Sequence, residues 1–543
     1  MKDGDVQLSE RTVNLARRAR ALTDRLDALI TALERRYTPI GRFTPGPFEG
    51  WGFLWWPGLL GFVALCAIMV GGSFVVSPFK LMMAHTWFFG VPKPNAAIVP
   101  LINETRLMVS ITLVYGGLLL LMRVWLRLCE VVKLHAGAPE RVLWRILALW
   151  SLPMIIAPPL FSRDVFSYAA QGEMTSLHLS PYVMGPFSLG SNAFVNPVDP
   201  LWGNTPAPYG PLFLWLDSLI VKITHHHELI AVVGLRLLEV AAVALLAWAL
   251  PRLARANGRD GGEAFVLGAL NPLVILTLIG GIHNDALMAA LLVAGLYFAA
   301  TKRRVLGIVL CSCAAAVKAP AALGVVYVAW TWLGANASLK AKIKPLAIGA
   351  LVSGATLGLF TAMAGFGFGW VKNLATPGAV RSWAAPATGL GMALTGLAHG
   401  VGSHVKLGAV LSVTRALGLL VAVAFAAYLL WRAEHRGWIR SLGLSLLLFV
   451  VLGPVVQPWY LVWGLVILAA SYQGREHFWL LTLSITSPFL GLPGAFDLWH
   501  GLLAANPLVM AGVLAVLLLC VTVPMGHWTQ WSWPEDAPEL LEV

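Results

Sequence analysis

The chain has 543 residues, of which 58% are hydrophobic and only 12% are charged, and its mean hydropathy is +0.75. A soluble chain carries about twice that fraction of charge, so the composition predicts an all-α polytopic membrane protein and excludes a string of soluble domains. The net charge of +12 does not indicate a nucleic-acid partner, because positive residues collect in the cytoplasmic loops of membrane proteins.

The first 45 residues predict a cytoplasmic amphipathic helix and a short linker. Leu8, Leu15, Leu22 and Leu29 recur every seven residues among arginines and aspartates. A coiled coil, a helix lying on the membrane surface and a helix packed beneath the membrane domain would all show this pattern. Residues 46–525 are predicted to form one integral membrane domain, and residues 526–543 a cytoplasmic tail.

Apolar segments recur along the membrane domain and predict a bundle of about fourteen transmembrane helices. Their approximate limits are 53–77, 108–130, 143–160, 227–250, 263–282, 284–300, 305–318, 320–334, 345–367, 407–431, 441–457, 459–472, 477–493 and 506–524. Basic clusters orient the bundle with both termini in the cytoplasm, by the positive-inside rule. These clusters are Arg252/Arg255/Arg259, Lys302/Arg303/Arg304, Lys340/Lys342/Lys344 and Arg432/Arg436/Arg440.

Residues 161–226 are predicted to form an extracytoplasmic catalytic loop that begins as a non-helical segment. Asp164 opens it directly after an apolar run, and a carboxylate at the mouth of a span is costly enough to indicate a function. The apolar segment 209–224 is interpreted as an interfacial or re-entrant juxtamembrane helix. A full crossing there would place every later basic loop outside.

Polar and aromatic side chains gather in the loops that this topology places outside the cell. They are Arg163, Tyr168, Gln171, Glu173, Tyr209, His283, Asn284, Asp285, Lys318, Arg381, Gln457, Trp459 and Tyr460, beside Asp164. A carboxylate can accept the proton of an attacking hydroxyl, and a cation can hold a phosphate leaving group. The set favours glycosyl transfer from a lipid-linked sugar phosphate, since no glycine-rich nucleotide-binding loop precedes a predicted cytoplasmic helix.

Several motifs in these loops resemble a known superfamily. The segment from Arg163 to Gly172 (RDVFSYAAQG), His283 to Met288 (HNDALM), AVKAP around Lys318 and QPWY at 457–460 resemble the GT-C glycosyltransferases. More narrowly, the first two resemble the actinobacterial polyprenol-phosphate-mannose-dependent α-1,6-mannosyltransferases, which build the backbone of lipomannan and lipoarabinomannan. The resemblance covers residues 140–500, although two spans precede the Asp164 loop where many GT-C enzymes have one.

This resemblance implies an inverting transfer that needs neither metal nor cofactor. The donor would be polyprenol-phosphate-mannose and the acceptor a mannan or phosphatidylinositol mannoside, at the outer side of the cell membrane. Asp164 would be the base, Lys318 with Arg163 or Arg381 would hold the donor phosphate, and His283, Asn284 and Asp285 would orient the acceptor. The sugar or lipid would contact Tyr168, Gln171, Glu173, Tyr209, Gln457, Trp459 and Tyr460. Whether Asp164 or Asp285 takes the proton stays open.

Other functions share part of this pattern. Intramembrane charges and broken helices also suit a transporter or flippase of lipid-linked sugars. The sequence shows no inverted internal repeat, and its polar residues gather on one face instead of the midplane, which favours an enzyme. Within that class, polyprenol-phosphate-arabinose or polyprenol-phosphate-glucose is the nearest alternative donor.

Overall fold

The computed structural model describes residues 54–73, 99–134, 137–474 and 476–492. Within these residues the secondary structure is helical, without β-sheet. The α-helices are α1 (Trp55–Ser73), α2 (Val99–Leu134), α3 (Glu140–Ile156), α4 (Asp164–Ser176), α5 (Pro200–Gly203), α6 (Pro211–Ile223), α7 (Glu228–Ala256), α8 (Gly261–Gly268), α9 (Asp285–Ala300), α10 (Arg304–Val317), α11 (Ala322–Trp330), α12 (Leu339–Ala364), α13 (Pro386–Gly400), α14 (Leu407–Trp431), α15 (Ala433–Arg436), α16 (Trp438–Val451), α17 (Pro458–Ala469) and α18 (Glu476–Leu490).

Non-α helices complete the described part of the chain. A π-helix spans Val274–Gly280, and 3-10 helices span Pro186–Leu189, Ala319–Ala321 and Gly369–Ala379. The described residues from position 54 onward belong to one compact unit, Leu54–Ala505. The predicted amphipathic helix in residues 1–45, the span 506–524 and the tail 526–543 lie outside the described residues.

Five helices of the described part are long and apolar enough to cross a membrane: α1, Met108–Lys133 of α2, α7, α12 and α14. The π-helix and α9 make a sixth if they count as one span, although they meet at a bend of 119°. Shorter apolar helices lie at Arg304–Val317, Ala319–Trp330, Trp438–Val451 and Pro458–Ala469. The predicted helical, membrane-type architecture is therefore confirmed, while the count of about fourteen spans stays a prediction.

The segment that follows Phe161 is a helix, which corrects the prediction of a non-helical loop. Helix α4 starts at Asp164, whose backbone N–H donates to Ser162 Oγ, and an acidic residue in the first turn suits the positive end of the helix dipole. Nearly every residue of α4 is buried, polar ones included. Because polar residues are among those buried, the sequence of α4 lacks the apolar periodicity from which a buried helix is predicted.

Helices α12 and α14 face outward from the rest of the described bundle. Only 6% of the membrane-length window of α12 and 22% of that of α14 are buried, against 44% in α1, α2 and α7. Leu351 on α12 and Leu420 on α14 are among their most exposed apolar side chains. In a bilayer these side chains would meet lipid tails, which are as apolar as leucine itself.

A buried arginine joins two chain segments that carry functional groups. Arg236 of α7 donates from Nη1 to the carbonyls of Ile155 and Ala157, at the end of α3. Its Nη2 lies 3.5 Å from the carbonyl of Gly280, at the end of the π-helix. Because carbonyls at helix ends lack partners within the helix, a guanidinium there both satisfies them and sets their separation.

Candidate active site

Two strained turns place the first pair of site residues side by side. Phe161 and Ile282 have positive φ angles of 66° and 56°. This backbone conformation is unfavourable for residues with bulky or β-branched side chains. The backbone N–H of Leu160 donates to the carbonyl of Gly280 over 3.0 Å, so the two turns are joined. Asp164 follows the first turn and His283 the second.

Asp164 stands at the first position of α4 with its side chain 20% exposed. Burial raises the pKa of this carboxyl above its ordinary value, and the positive charges of Lys318 and of a protonated His283 act in the opposite direction. Its Oδ2 lies 3.7 Å from His283 Nε2, which is beyond hydrogen-bond distance. Asp164 is thus a partly accessible carboxylate with a raised proton affinity.

The His283 ring is buried and held on two sides. Its Nδ1 lies 2.7 Å from the carbonyl of Thr277, so Nδ1 carries a proton and donates it. The ring stacks on Trp459, with 3.8 Å between the centroids and 21° between the planes. Nε2, the atom nearer Asp164, has no hydrogen-bond partner within the described part of the chain.

Asp285 and Lys318 form a buried ion pair beside these two residues. Lys318 Nζ lies 2.8 and 2.9 Å from the two carboxylate oxygens of Asp285, and 3.4 Å from Asn284 Oδ1. The indole Nε1 of Trp463 donates to Asp285 Oδ1 over 2.5 Å. Both oxygens of Asp285 are therefore occupied by donors.

Three aromatic rings surround the ammonium group of Lys318. Its Nζ lies 4.5 Å from the ring centre of Tyr460, 5.4 Å from that of Trp463 and 5.8 Å from that of Tyr209. Tyr460 also stacks on Trp463, with centroids 4.7 Å apart. The electron-rich faces stabilise the cation and hold it in place.

A glycine brings Tyr209 to this cage. The N–H of Gly210 donates to the carbonyl of Val317 over 3.0 Å. A Cβ at position 210 would overlap the carbonyl of Ala316, so no larger residue permits this approach. The loop before α6 thereby docks on the end of α10, next to the extended break at Lys318.

Several buried polar atoms of the site have no partner among the described residues. They are His283 Nε2, Asn284 Nδ2, Ser167 Oγ and Gln171 Oε1. Ser167 and Gln171 lie three and seven residues after Asp164, on the same face of α4. Since buried polar groups in proteins are almost always satisfied, such a set indicates a face that meets a polar ligand.

An apolar pocket adjoins the His283 ring. It is a small pocket, and His283, Trp459, Leu160, Leu276 and Pro488 contribute to its wall. Apart from His283 and Thr277 its lining is mostly apolar, so apolar surface lies directly beside the imidazole.

The structure places four of the predicted site residues differently from this group. Arg163 donates to the carbonyls of Pro197 and Val198, and so ties α4 to the following loop. Glu173 pairs with His226 over 2.6 Å at the far end of α4. The exposed Arg381 lies near Arg415, and Gln457 is the N-cap of α17, where its carbonyl accepts from Tyr460.

The remaining predicted residues take supporting positions or join the group. Tyr168 is buried edge-on against Tyr209 and Phe213, with ring centres 5.2 and 5.1 Å away. The group itself brings together Asp164, His283, Asn284, Asp285, Lys318, Tyr209, Trp459 and Tyr460, with Gln171 on the Asp164 face of α4. Most of the predicted residues thus meet, although five different stretches of chain supply them.

Sequence reasoning missed two contributors. Trp463 donates to Asp285, and the carbonyl of Thr277 orients His283. Trp463 could have been found, because it lies four residues after Trp459 and hence on the same helical face. A backbone carbonyl in a π-helix leaves no signal of residue type. Among the described residues, no group of three or more His, Cys, Asp or Glu side chains could hold a metal ion.

Two stretches of the chain match known domains. Residues 58–334 match the domain described as "Alpha-(1->6)-mannopyranosyltransferase, N-terminal domain", and residues 386–526 match the MptB C-terminal domain. The chain belongs to the alpha-(1->6)-mannopyranosyltransferase family. The predicted resemblance is thereby confirmed, and the site described above lies within an enzyme of the mannosyltransferase class.

Relatives named as mannosyltransferases of this family align over most of the chain. A probable alpha-(1->6)-mannopyranosyltransferase of Mycolicibacterium smegmatis is 35% identical over 79% of this chain and 83% of its own. Alpha-(1->6)-mannopyranosyltransferase A of Mycobacterium tuberculosis is 32% identical over 83% of this chain and 85% of its own. Alpha-(1->6)-mannopyranosyltransferase B of Corynebacterium glutamicum is 32% identical over 65% of this chain and 62% of its own. No solved structure matches the chain.

Proposed function

We propose that this mannosyltransferase moves mannose from polyprenol-phosphate-mannose to a mannan acceptor, with inversion and an α-1,6 linkage. The transfer takes place at the outer side of the cell membrane and contributes to the synthesis of the lipomannan and lipoarabinomannan backbone. The observation that carries it is a partly accessible carboxylate, Asp164, in the same site as a buried cation, Lys318, which Asp285 holds. The alpha-(1->6) names of the relatives support the linkage.

Asp164 is the better candidate for the base of the two aspartates. Both oxygens of Asp285 accept hydrogen bonds, from Lys318 and Trp463, and its side chain is fully buried. Asp164 is partly exposed, and burial has raised the pKa of its carboxyl towards that of a useful base. A sugar hydroxyl can therefore reach Asp164 without breaking an existing ion pair.

The transfer needs one base and no general acid, because a phosphate is already a good leaving group. The acceptor hydroxyl gives its proton to Asp164 while its oxygen bonds to C1 of the donor mannose. The bond from C1 to the phosphate oxygen breaks, and its electron pair leaves with the polyprenyl phosphate. Lys318 and the N-terminal ends of α4, α9 and α17 supply positive potential for that charge.

The groups around the aspartates suit the two substrates. Asn284 Nδ2, Ser167 Oγ and Gln171 Oε1 are buried polar atoms without partners, and sugar hydroxyls would satisfy them. The small pocket beside His283 and Trp459 places apolar surface next to the aspartates, where the first isoprenyl unit of a polyprenyl phosphate would lie. Arg163 and Arg381 are kept as candidate phosphate ligands, although Arg163 also donates to loop carbonyls.

The deciding experiment is transfer by the purified protein. It is incubated with polyprenol-phosphate-mannose and a short α-1,6-mannoside, and the linkage of the product is determined. Asp164→Asn is expected to lower kcat by about 10³-fold, within the range of general base catalysis. Glu130→Gln is the control, because it also removes one carboxylate charge, but from a partly exposed pair with Arg127.

Other outcomes would contradict the proposal. Absence of an elongated product, or full activity of Asp164→Asn, would overturn the reaction as stated. Preference for polyprenol-phosphate-arabinose or polyprenol-phosphate-glucose would replace the donor. Movement of the labelled lipid across a vesicle without any elongated product would favour the flippase instead.

A further inference from the structure

Several contacts hold the His283 ring in one orientation. Its ring lies between the Thr277 carbonyl and the Trp459 indole, and the preceding Ile282 has a positive φ. A Cβ on Gly281 would come within 2.8 Å of the imidazole, so the turn also needs glycine there. Strain of this kind persists only where the surroundings determine one conformation.

The contact with Thr277 determines which nitrogen of the neutral ring carries no proton. A carbonyl oxygen only accepts, so Nδ1 carries the proton and Nε2 presents a lone pair. That lone pair has no partner within the described residues and lies 3.7 Å from Asp164 Oδ2. With Asp164 ionised, two acceptors face each other, and a single proton between them would satisfy both.

We propose that Asp164 and His283 act together as the base, as a carboxylate–imidazole dyad that receives one proton from the acceptor hydroxyl. The inference rests on the proposed glycosyl transfer and assigns His283 a part in the proton transfer itself. As the new bond to C1 forms, the proton goes to Asp164 Oδ2 and is shared with His283 Nε2. After the polyprenyl phosphate has left with its electron pair, the dyad loses that proton to water.

Other titratable groups also face the dyad. Lys318 and Asp285, joined in their ion pair, act on Asp164 in opposite directions, and Asp199 also lies close enough to act on it. Tyr168, Tyr209 and Tyr460 surround Asp164, and burial raises the pKa of Tyr168 and Tyr209 further into the alkaline range. The acid limb of the activity profile therefore belongs to the dyad.

The test is the pH profile of kcat/KM for two variants. His283→Asn can keep the donor to Thr277 but has no group at Nε2, and His283→Gln can place an amide near Nε2 that takes no proton. Both are expected to lower kcat by about 10²-fold. Both should move the acid limb to lower pH, by about one unit, because Asp164 alone binds the proton less tightly than the coupled pair.

A matched control and a second measurement keep this test decisive. His404→Gln replaces an exposed histidine and should leave both rate and profile unchanged. In the wild type, ¹⁵N-histidine NMR should show that His283 Nε2 is unprotonated at neutral pH, with the signal assigned by its absence in His283→Gln. This second measurement does not depend on the folding of an active variant.

The outcomes separate the two proposals. An acid limb that stays in place or moves to higher pH in the His283 variants, or a proton on Nε2 at neutral pH, would overturn the dyad. If Asp164→Asn nevertheless abolishes transfer, the proposed function stands. If the wild type transfers no mannose at all, the proposed function fails irrespective of the histidine tautomer.

Discussion

Lys318 and Asp285 show how a single pair can serve both the stability and the chemistry of the site. The pair is buried, with the carboxylate inaccessible and the ammonium surrounded by three rings. Removing two charges from water costs several kcal/mol per ion, which only good geometry can offset. The two contacts of 2.8 and 2.9 Å and the Trp463 hydrogen bond provide that geometry.

Asp285→Asn should therefore destabilise the protein more than a substitution that breaks an exposed ion pair. It leaves the Lys318 ammonium buried without its carboxylate, and the free energy of unfolding should fall by about 3–5 kcal/mol. Glu140→Gln breaks the more exposed pair with Arg255 and should cost under about 1 kcal/mol. Thermal unfolding in detergent measures both, and equal losses would contradict this account.

Sequence reasoning recognised the individual residues of the site but not their pairing. Lys318 was predicted as a phosphate ligand and Asp285 as an acceptor contact, whereas the structure joins them. They are 33 residues apart, and no local pattern links a broken helix to the start of another. The pairing depends on how α9 and α10 pack, which residue types alone do not specify.

The π-helix and the turn after it are the elements that position the His283 imidazole. The π-helix ends at Gly280, and within three residues the chain reaches His283 and then turns by 119° into α9. π-helical segments are rare and frequently accompany functional sites. Here the wider helix leaves the Thr277 carbonyl available to His283.

Gly281→Ala should disturb this element through steric overlap alone. Its φ of −85° is ordinary, but a Cβ would lie 2.7 Å from the Thr277 carbonyl oxygen and 2.8 Å from the imidazole. We expect kcat to fall by at least about 10-fold, since small misplacements of reacting groups are costly. Gly354→Ala in α12 meets nothing within 4 Å and should leave kcat unchanged. Similar rates for both variants would contradict the positioning role.

At the scale of the whole molecule, the site lies where several stretches predicted to be outer loops converge. Residues from the starts of α4, α9 and α17 and from the break after α10 meet there. Their convergence supports a single face for the chemistry, and the basic clusters support its assignment to the outside.

Labelling of introduced cysteines would test that assignment. In a chain whose five native cysteines are replaced, an exposed His227→Cys before α7 should react with an impermeant maleimide on intact cells. Thr301→Cys, exposed between α9 and α10, should react only after the membrane is permeabilised. Reaction of Thr301→Cys from outside, with His227→Cys protected, would reverse the orientation.

The class of this protein follows from its amino-acid sequence. Hydropathy and charge act additively along the chain, so composition alone predicted a helical membrane protein, and the motifs at Arg163–Gly172 and His283–Met288 indicated its family. Which side chains act on one another depends instead on how the helices pack. His283 stacks on Trp459, and Asp285 binds Trp463 178 residues further along the chain. Such contacts depend on helix packing between distant segments, where one residue's environment is created by residues that no local pattern connects to it.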